Sequence, residues 1–212
     1  MKKIIAVDGP AGAGKSTVSK ICAGKLGYTY IDTGAMYRAV ALKVLSTGKA
    51  LDEKLLDDIK IELDAAAHVY LDGRDVTKEI RTPEVSRAAS DVAKVGFVRS
   101  KLTQLQRDMA SRGKVIMDGR DIGTQVLPNA DLKIFLTATV EERARRRFEE
   151  LKIKGLAADL SQIEREIFLR DKQDSEREIA PLAQAQDAVL IDSTRMTIDE
   201  VVTEILRLAE AD

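Results

Sequence analysis

The 212-residue chain is poor in the residues on which several kinds of binding site depend. It has no tryptophan and only 4% aromatic residues, so it cannot offer a row of rings on which the bases of a single strand could stack. Its net charge of -1 also argues against a broad nucleic-acid surface, which would normally leave a basic excess. We therefore expect no nucleic-acid partner.

Cysteine and histidine each occur only once. The single Cys22 excludes an internal disulfide and a cysteine-rich zinc site, and the single His68 excludes a histidine cluster for a metal. Cys22 shares one face of a predicted helix with Val18, Ile21 and Leu26, so we interpret it as a core residue. His68 adjoins a strand-like run, and we interpret it as structural.

Long apolar runs are also missing from the sequence. It contains no stretch of about 20 apolar residues and no N-terminal signal peptide, so we expect a cytoplasmic protein without a membrane partner. The length fits one domain of moderate size, for which a monomer is the default expectation.

The strongest feature that is present is a glycine-rich motif at residues 9–17, which fits G-x-x-x-x-G-K-[ST]. Its members are Gly9, Pro10, Ala11, Gly12, Ala13, Gly14, Lys15, Ser16 and Thr17. Glycines let successive backbone N–H groups point inward, and the helix that follows adds partial positive charge. Lys15 is placed to reach nucleotide phosphates and Ser16 to offer its hydroxyl to Mg²⁺. A plain glycine-rich turn would not explain Lys15 and Ser16, so the motif predicts a site for a nucleoside triphosphate and magnesium.

Strand-like apolar runs alternate with helical patterns along the chain. The runs cover residues 3–7, 28–31, 115–117, 132–136 and 189–191. This alternation predicts an α/β fold in which a five-stranded parallel sheet is flanked by helices on both faces. Ligands of such sheets gather at the carboxyl ends of the strands, where Gly9, Asp32, Asp118 and Thr137 fall.

Two segments interrupt the alternation. Residues of about 60–92 contain the turn Asp72-Gly73 between two short strand-like runs, which predicts a small antiparallel β insert. Residues of about 143–181 are dense in charge and have few apolar anchors, which predicts a mobile helical lid. The core of the single domain is then expected at about 1–59, 93–142 and 182–212.

Two further clusters of polar residues follow predicted strands. In the first, Thr33 and the first amides of a helix could hold an anion near Arg38, although an ordinary helix cap fits the residues equally well. In the second, Asp118 could help to hold the magnesium through water, and Arg120 and Asp121 project from the same sheet edge. The two glycines and the charged pair favour this shaped loop over the alternative, a simple salt-bridged connection.

Arginines are concentrated in the predicted lid. They are Arg143, Arg145, Arg146, Arg147, Arg165, Arg170 and Arg177. The i,i+4 pairs Glu141–Arg145 and Glu142–Arg146 are typical of a solvated helix. Guanidinium groups are also natural clamps for the oxygens of a transferring phosphoryl group. We therefore expect some of these arginines to be functional and others to lie on the surface.

Taken together, these stretches resemble the bacterial cytidylate kinases, which are nucleoside monophosphate kinases with a P-loop. The resemblance covers essentially the whole chain and depends on residues 8–17, 32–38, 80–86, 118–123 and 180–182. It implies a P-loop kinase with a core, a monophosphate-binding insert and a lid. The implied reaction is ATP + CMP to ADP + CDP, with dCMP as a second acceptor and Mg²⁺ as cofactor.

The resemblance also implies roles for individual residues. The implied contacts are Arg38, Arg120 and Arg177 with the CMP phosphate, Ser90, Arg99 and Asp121 with cytosine, and Arg170 and Asp174 on the pentose side. Lys15 and arginines of the lid would neutralise the developing charge. Thr33 stands where related chains often have serine, and its hydroxyl is retained.

This set of residues explains a preference for cytosine over uracil. The carboxylate of Asp121 can accept a hydrogen bond from the 4-amino group of cytosine, whereas uracil would present an oxygen there. An unpaired buried group of that kind costs about 1–3 kcal/mol, which corresponds to roughly ten- to hundredfold in selectivity.

The sequence supports three rival interpretations of the motif less well. A GTP-dependent switch would need an Asn-Lys-x-Asp motif, but the only asparagine is Asn129, within Pro128-Asn129-Ala130-Asp131. A P-loop kinase for another small acceptor, such as UMP, AMP or a shikimate-like acid, would share the loop and the lid. A non-catalytic nucleotide-binding module would not need Lys15, Ser16 and the full arginine set.

Overall fold

The computed structural model of the chain describes residues 3–64 and 66–211. In chain order the elements are β1 (Ile4–Asp8), α1 (Lys15–Leu26), β2 (Thr29–Asp32), α2 (Thr33–Thr47), α3 (Glu53–Asp57), β3 (Ile61–Leu63), β4 (Val69–Leu71), β5 (Arg74–Asp75), a 3-10 turn (Glu79–Arg81), α4 (Pro83–Val92), α5 (Gly96–Ala110), β6 (Val115–Asp118), a π-helical turn (Ile122–Val126), β7 (Leu132–Thr137), α6 (Val140–Ile153), α7 (Leu160–Glu176), β8 (Val189–Asp192) and α8 (Ile198–Glu210). Across these residues, no helix combines the length and apolar character needed to span a membrane.

The predicted parallel sheet is confirmed. Its strand order is β2-β6-β1-β7-β8, every neighbouring pair is parallel, and each strand lies within one residue of its predicted bounds. In β1, β2, β6 and β7 the near-continuous apolar runs follow from burial on both faces of the sheet, whereas the edge strand β8 is largely exposed. The order brings the carboxyl ends of β2, β6, β1 and β7 to one edge, so the residues that follow them meet there.

Two apolar layers cover the central sheet. Ile5 and Val7 of β1 pack with α1 and α8 on one face, whereas Ala6 packs with the end of α5 and the π-helical turn on the other. This alternation is the two-residue period of a strand. Cys22 is fully buried in the first layer, as the helical pattern predicts.

The predicted small antiparallel sheet is confirmed and has one strand more than expected. The hairpin β4–β5 turns at Asp72-Gly73, and β3 adds a third antiparallel strand that the sequence analysis missed. Only three residues long and with Glu62 at its centre, β3 has too few apolar residues to give a strand pattern. His68 is bonded through Nδ1 to Asp64 at 2.8 Å beside this sheet, and the sheet packs against α2 and α4.

The segment predicted as a lid forms two helices, α6 and α7. They pack together through a small apolar cluster of Ala144, Ile163 and Ile167, with four partly buried side chains around it. Ile153, at the end of α6, is 86% exposed. The contact between these helices therefore buries little apolar surface.

Candidate active site

One cavity of about 790 Å³ opens at the carboxyl edge of the central sheet. Its lining includes all the predicted site residues except Gly9 and Pro10. The four cations Lys15, Arg38, Arg120 and Arg177, which come from four separate parts of the chain, thus face one space.

The loop at residues 9–17 approaches β7 closely. A Cβ on Gly9, which has φ +146°, would lie 1.9 Å from the carbonyl oxygen of Leu136, so only glycine fits this position. The helix α1 begins at Lys15 without a side-chain cap at Gly14. Its first amides and its dipole are therefore available to an anion.

Lys15 is folded back over the loop. Its Nζ donates to the carbonyl oxygens of Gly9 at 2.8 Å and Pro10 at 2.7 Å. Burial, with a smaller contribution from the nearby Arg120, lowers the pKa of Lys15 well below its ordinary value. The ammonium group is thus held at one fixed place beside the loop.

Asp118 lies beside Ser16 at the end of β6. Ser16 Oγ donates to Asp118 Oδ2 at 2.8 Å, and the hydroxyl of Tyr30 donates to Oδ1 at 2.9 Å. Burial, and then the charge of Asp32, raises the pKa of Asp118 to about 6. In the described part of the chain, no three histidines, cysteines or carboxylates cluster as a metal site. A cation beside Ser16 would therefore need oxygens from a ligand and from water.

The start of α2 is a capped helix as well as part of the cavity wall. Asp32 Oδ1 accepts from the amide of Ala35 at 2.8 Å, and the hydroxyl of Thr33 donates to the carbonyl oxygen of Asp118, also at 2.8 Å. Arg38 nevertheless faces the cavity, held by Asp32 at 3.1 Å. The start of α2 therefore provides both a helix N-cap and an arginine that faces the cavity.

Carboxylates hold the other arginines in place. Arg120 Nε donates to Asp174 at 2.8 Å, and Arg177 lies 3.3 Å from Asp121. Asp121 also pairs with Arg99, whose guanidinium lies over the ring of Tyr37, 5.5 Å from its centroid.

Two arginine nitrogens in the cavity wall are buried without a hydrogen-bond partner among the described residues. They are Nε of Arg38 and Nε of Arg170. Burial, with repulsion from Arg120, lowers the pKa of Arg170 to about 10. Buried N–H donors of this kind, left without an acceptor on cationic side chains, favour an anionic ligand. Ser90, which donates to the carbonyl oxygen of Ser86 at 3.4 Å, lies on the same wall.

The four arginines of α6 differ in their burial and in their partners. Arg143 is buried and donates through Nη1 to the carbonyl oxygen of Ala11 at 2.8 Å, and Arg146 donates to Ser193 at 2.6 Å. Arg145 and Arg147 are bound by glutamates of their own helix. The expected pair Glu141–Arg145 is wrong, because Arg145 pairs with Glu142, as Arg146 does.

Sequence reasoning missed three residues that support the cavity. Asp171 accepts from the amide of Ala11 at 3.2 Å and pairs with Arg143 at 2.5 Å. Tyr37 supports Arg99, and Tyr30 supports Asp118. Tyr30 and Asp171 belong to none of the motifs, and Tyr37 lies in the stretch 32–38 without a role assigned to it there. Only the fold brings the three residues to their partners.

The fold and the cavity define the class of protein. The parallel sheet, the glycine loop that precedes α1 and the helices over its edge are those of a P-loop kinase. The solved shikimate kinase from Bacteroides thetaiotaomicron superposes with a TM-score of 0.51 and 15% identity over 100% of both chains. At that identity, the likeness concerns the fold alone.

The family follows from the sequence comparisons. The family model described as cytidylate kinase matches residues 5–211. The cytidylate kinase of Caldicellulosiruptor saccharolyticus is 58% identical over 217 aligned positions, which cover 98% of this chain and 96% of the relative. The cytidylate kinase of Caldicellulosiruptor bescii is 57% identical over the same shares of both chains. The chain belongs to the cytidylate kinase family.

Proposed function

We propose that the chain transfers the terminal phosphate of ATP to CMP or dCMP and releases ADP with CDP or dCDP. One observation carries the proposal: the glycine-rich loop with Lys15, the pair of Arg99 and Asp121, and further arginines all line a single cavity. Family membership supports it independently. A shikimate-like acceptor is not favoured, since the likeness to a shikimate kinase is limited to the fold.

On the donor side, residues 9–17 would hold the phosphates of ATP through backbone amides. Lys15 would neutralise charge that develops on the transferring group. Ser16 would bind Mg²⁺ directly and Asp118 would bind it through water, which fits a hydroxyl and a buried carboxylate that already lie 2.8 Å apart. When bound, Mg²⁺ neutralises charge on the phosphate oxygens.

On the acceptor side, Arg38, Arg120 and Arg177 would hold the CMP phosphate in line with the donor, with Thr33 close by. The buried, unpartnered Nε of Arg38 supports this assignment, because an incoming phosphate oxygen would satisfy it. The attacking phosphate oxygen is ionised at neutral pH, so the reaction needs no general base. Catalysis is then mainly positioning and charge neutralisation.

The base would be read by Ser90, Arg99 and Asp121. Two guanidinium groups contact the Asp121 carboxylate and hold it in the cavity wall. A carboxylate oxygen at that place would accept from the 4-amino group of cytosine and oppose the 4-oxygen of uracil. Arg170 and Asp174 would contact the pentose side.

The larger organisation is part of the same proposal. Residues of about 143–181 would close as a lid over ATP and exclude water, and the insert at about 60–92 would help to form the CMP site. The core at about 1–59, 93–142 and 182–212 would stay in place. The protein would work as a cytoplasmic monomer.

The decisive experiment is a coupled assay of ADP production with CMP, dCMP, UMP, AMP and shikimate as separate acceptors. We expect CMP and dCMP to give the highest kcat/KM, with UMP roughly ten- to hundredfold lower. Faster turnover of AMP, UMP or shikimate than of CMP would refute the proposal. ADP release that is independent of any acceptor would also contradict it.

A further inference from the structure

Asp8 joins the donor side of the cavity to the acceptor side. It is the last residue of β1, directly before the phosphate loop, and is only 4% exposed. Its Oδ1 accepts from the amide of Ile122 at 2.8 Å, and its Oδ2 accepts from the amide of Gly123 at 2.7 Å. These two amides directly follow Arg120 and Asp121, so one carboxylate anchors the loop that carries both.

The two amides are those that a helical turn leaves without internal partners. They open the π-helical turn Ile122–Val126, whose later amides at Gln125 and Val126 donate to the carbonyl oxygen of Asp121. Asp121 itself stands at the N-cap, with φ -143° and ψ 26°, but makes no side-chain cap bond. Asp8 supplies the cap in its place.

Because Asp8 caps the turn, the Asp121 side chain is not needed as its N-cap. Aspartate at an N-cap normally accepts from the amides of the first turn, and Gly123 offers such an amide. Because Asp8 already occupies that amide, the carboxylate of Asp121 can pair with Arg99 and Arg177 and line the cavity.

The buried position of Asp8 disfavours a charged carboxylate. Burial raises the pKa of Asp8 to about 6, although both amide bonds oppose this effect; Asp121 adds repulsion and Lys15 adds attraction. A buried carboxylate is tolerated only where hydrogen bonds compensate it. The two loop amides provide that compensation, so the carboxylate and the loop geometry depend on each other.

We propose that Asp8 is a positioning residue for base selectivity: by capping Ile122 and Gly123, it keeps the Asp121 carboxylate directed at the acceptor base. Asp8 need touch neither substrate. The inference rests on the proposed function, in which Asp121 distinguishes cytosine from uracil.

The test is the variant Asp8→Asn, which keeps the shape of the side chain. The amide oxygen of the asparagine can accept from one of the two loop amides, but its NH₂ group cannot accept from the second. The second loop amide is then free to donate to the carboxylate of Asp121. We expect KM for CMP to rise about tenfold and the CMP-to-UMP ratio of kcat/KM to fall about tenfold, with KM for ATP within about twofold of wild type.

The matched control is Asp131→Asn at the opposite end of β1. Asp131 Oδ2 accepts from the two consecutive amides of Lys3 and Ile4, each at 2.9 Å, and lies outside the cavity lining. This variant shares the chemical change but should keep the CMP-to-UMP ratio of the wild type. If D8N does not fold, Asp8→Glu retains a displaced carboxylate and should give a ratio between that of the wild type and unity.

A double-mutant cycle separates positioning from a general structural role. If Asp8 acts through Asp121, then D8N should change the CMP-to-UMP ratio by less than about twofold in a D121A background. A D8N enzyme that keeps the wild-type ratio, or that loses CMP and ATP affinity equally, would overturn the inference alone. A wild-type enzyme without preference for CMP would overturn the proposed function as well.

Discussion

Arg120 and Asp121, which are adjacent in the loop after β6, pair with Asp174 and Arg177, respectively, near the end of α7. Arg120 Nε donates to Asp174 Oδ2 at 2.8 Å, and Arg177 lies 3.3 Å from Asp121 Oδ1. The two pairs join elements that are more than 50 residues apart in sequence. They connect the proposed CMP site to the proposed lid, so a substitution in either of these parts should also affect the other.

The first prediction concerns the Arg120–Asp174 pair. Asp174→Asn should leave the half-buried guanidinium of Arg120 without its carboxylate, lowering the free energy of unfolding by about 2 kcal/mol. KM for CMP should rise more than KM for ATP. Urea denaturation and steady-state kinetics measure the two effects. Asp57→Asn, which breaks the exposed Lys101–Asp57 pair, is the control and should cost less than about 1 kcal/mol.

The second prediction concerns base recognition. Asp121→Ala should reduce kcat/KM for CMP roughly ten- to hundredfold, because the 4-amino group of cytosine loses its acceptor. ATP binding, measured by titration of the same variant, should change much less. Circular dichroism must show a folded variant, since Arg99 and Arg177 lose their shared carboxylate. An equal loss toward ATP and CMP would count against the assigned role of Asp121.

The third prediction is a pH dependence of stability. Bonds from Arg145 and Arg146 lower the pKa of Glu142 from 4.5 to about 2. A lowered carboxylate pKa stabilises the folded state above the ordinary pKa, and this contribution disappears as the pH falls toward 2. Glu142→Gln should therefore lower the free energy of unfolding at pH 7 by about 1 kcal/mol, with a smaller difference from wild type below pH 4.

Urea midpoints at several pH values measure this difference. Glu149→Gln, an exposed glutamate of the same helix, is the control and should leave the midpoints nearly unchanged. A Glu142 effect of constant size from pH 7 to pH 3 would show that packing, not the ion pairs, is responsible.

The fourth prediction concerns the close approach of the loop after β6 to α2. A Cβ on Gly119 would lie 2.6 Å from Cδ1 of Ile122 and 2.7 Å from Oγ1 of Thr33. Gly119→Ala should therefore destabilise the protein by about 1–3 kcal/mol and raise KM for CMP. Gly24→Ala, within α1 and with no atom within 4 Å of the added Cβ, should instead stabilise it by about 0.5–1 kcal/mol. Thermal melts of the two variants provide the comparison.

Most of the fold was predictable because its signals are local. Each strand of the central sheet is four to six residues long and contains a short apolar run. The two residues Asp72 and Gly73 are enough to indicate the hairpin turn. The exception was β3, which is short, has a glutamate at its centre and is identifiable only by its pairing with β4.

The glycine-rich loop, the parallel sheet and the chemical types of the side chains at its carboxyl edge could all be predicted from the sequence alone. These depend on backbone preferences and side-chain periods over a few neighbouring residues. The packing of distant elements buried Arg143 against Ala11 while leaving Arg145 exposed, brought Asp171 to Ala11, and made Asp8 the cap of a turn 114 residues away. Such contacts depend on how distant elements are oriented and packed against one another. The spacing of residues along a single helix does not reveal that orientation.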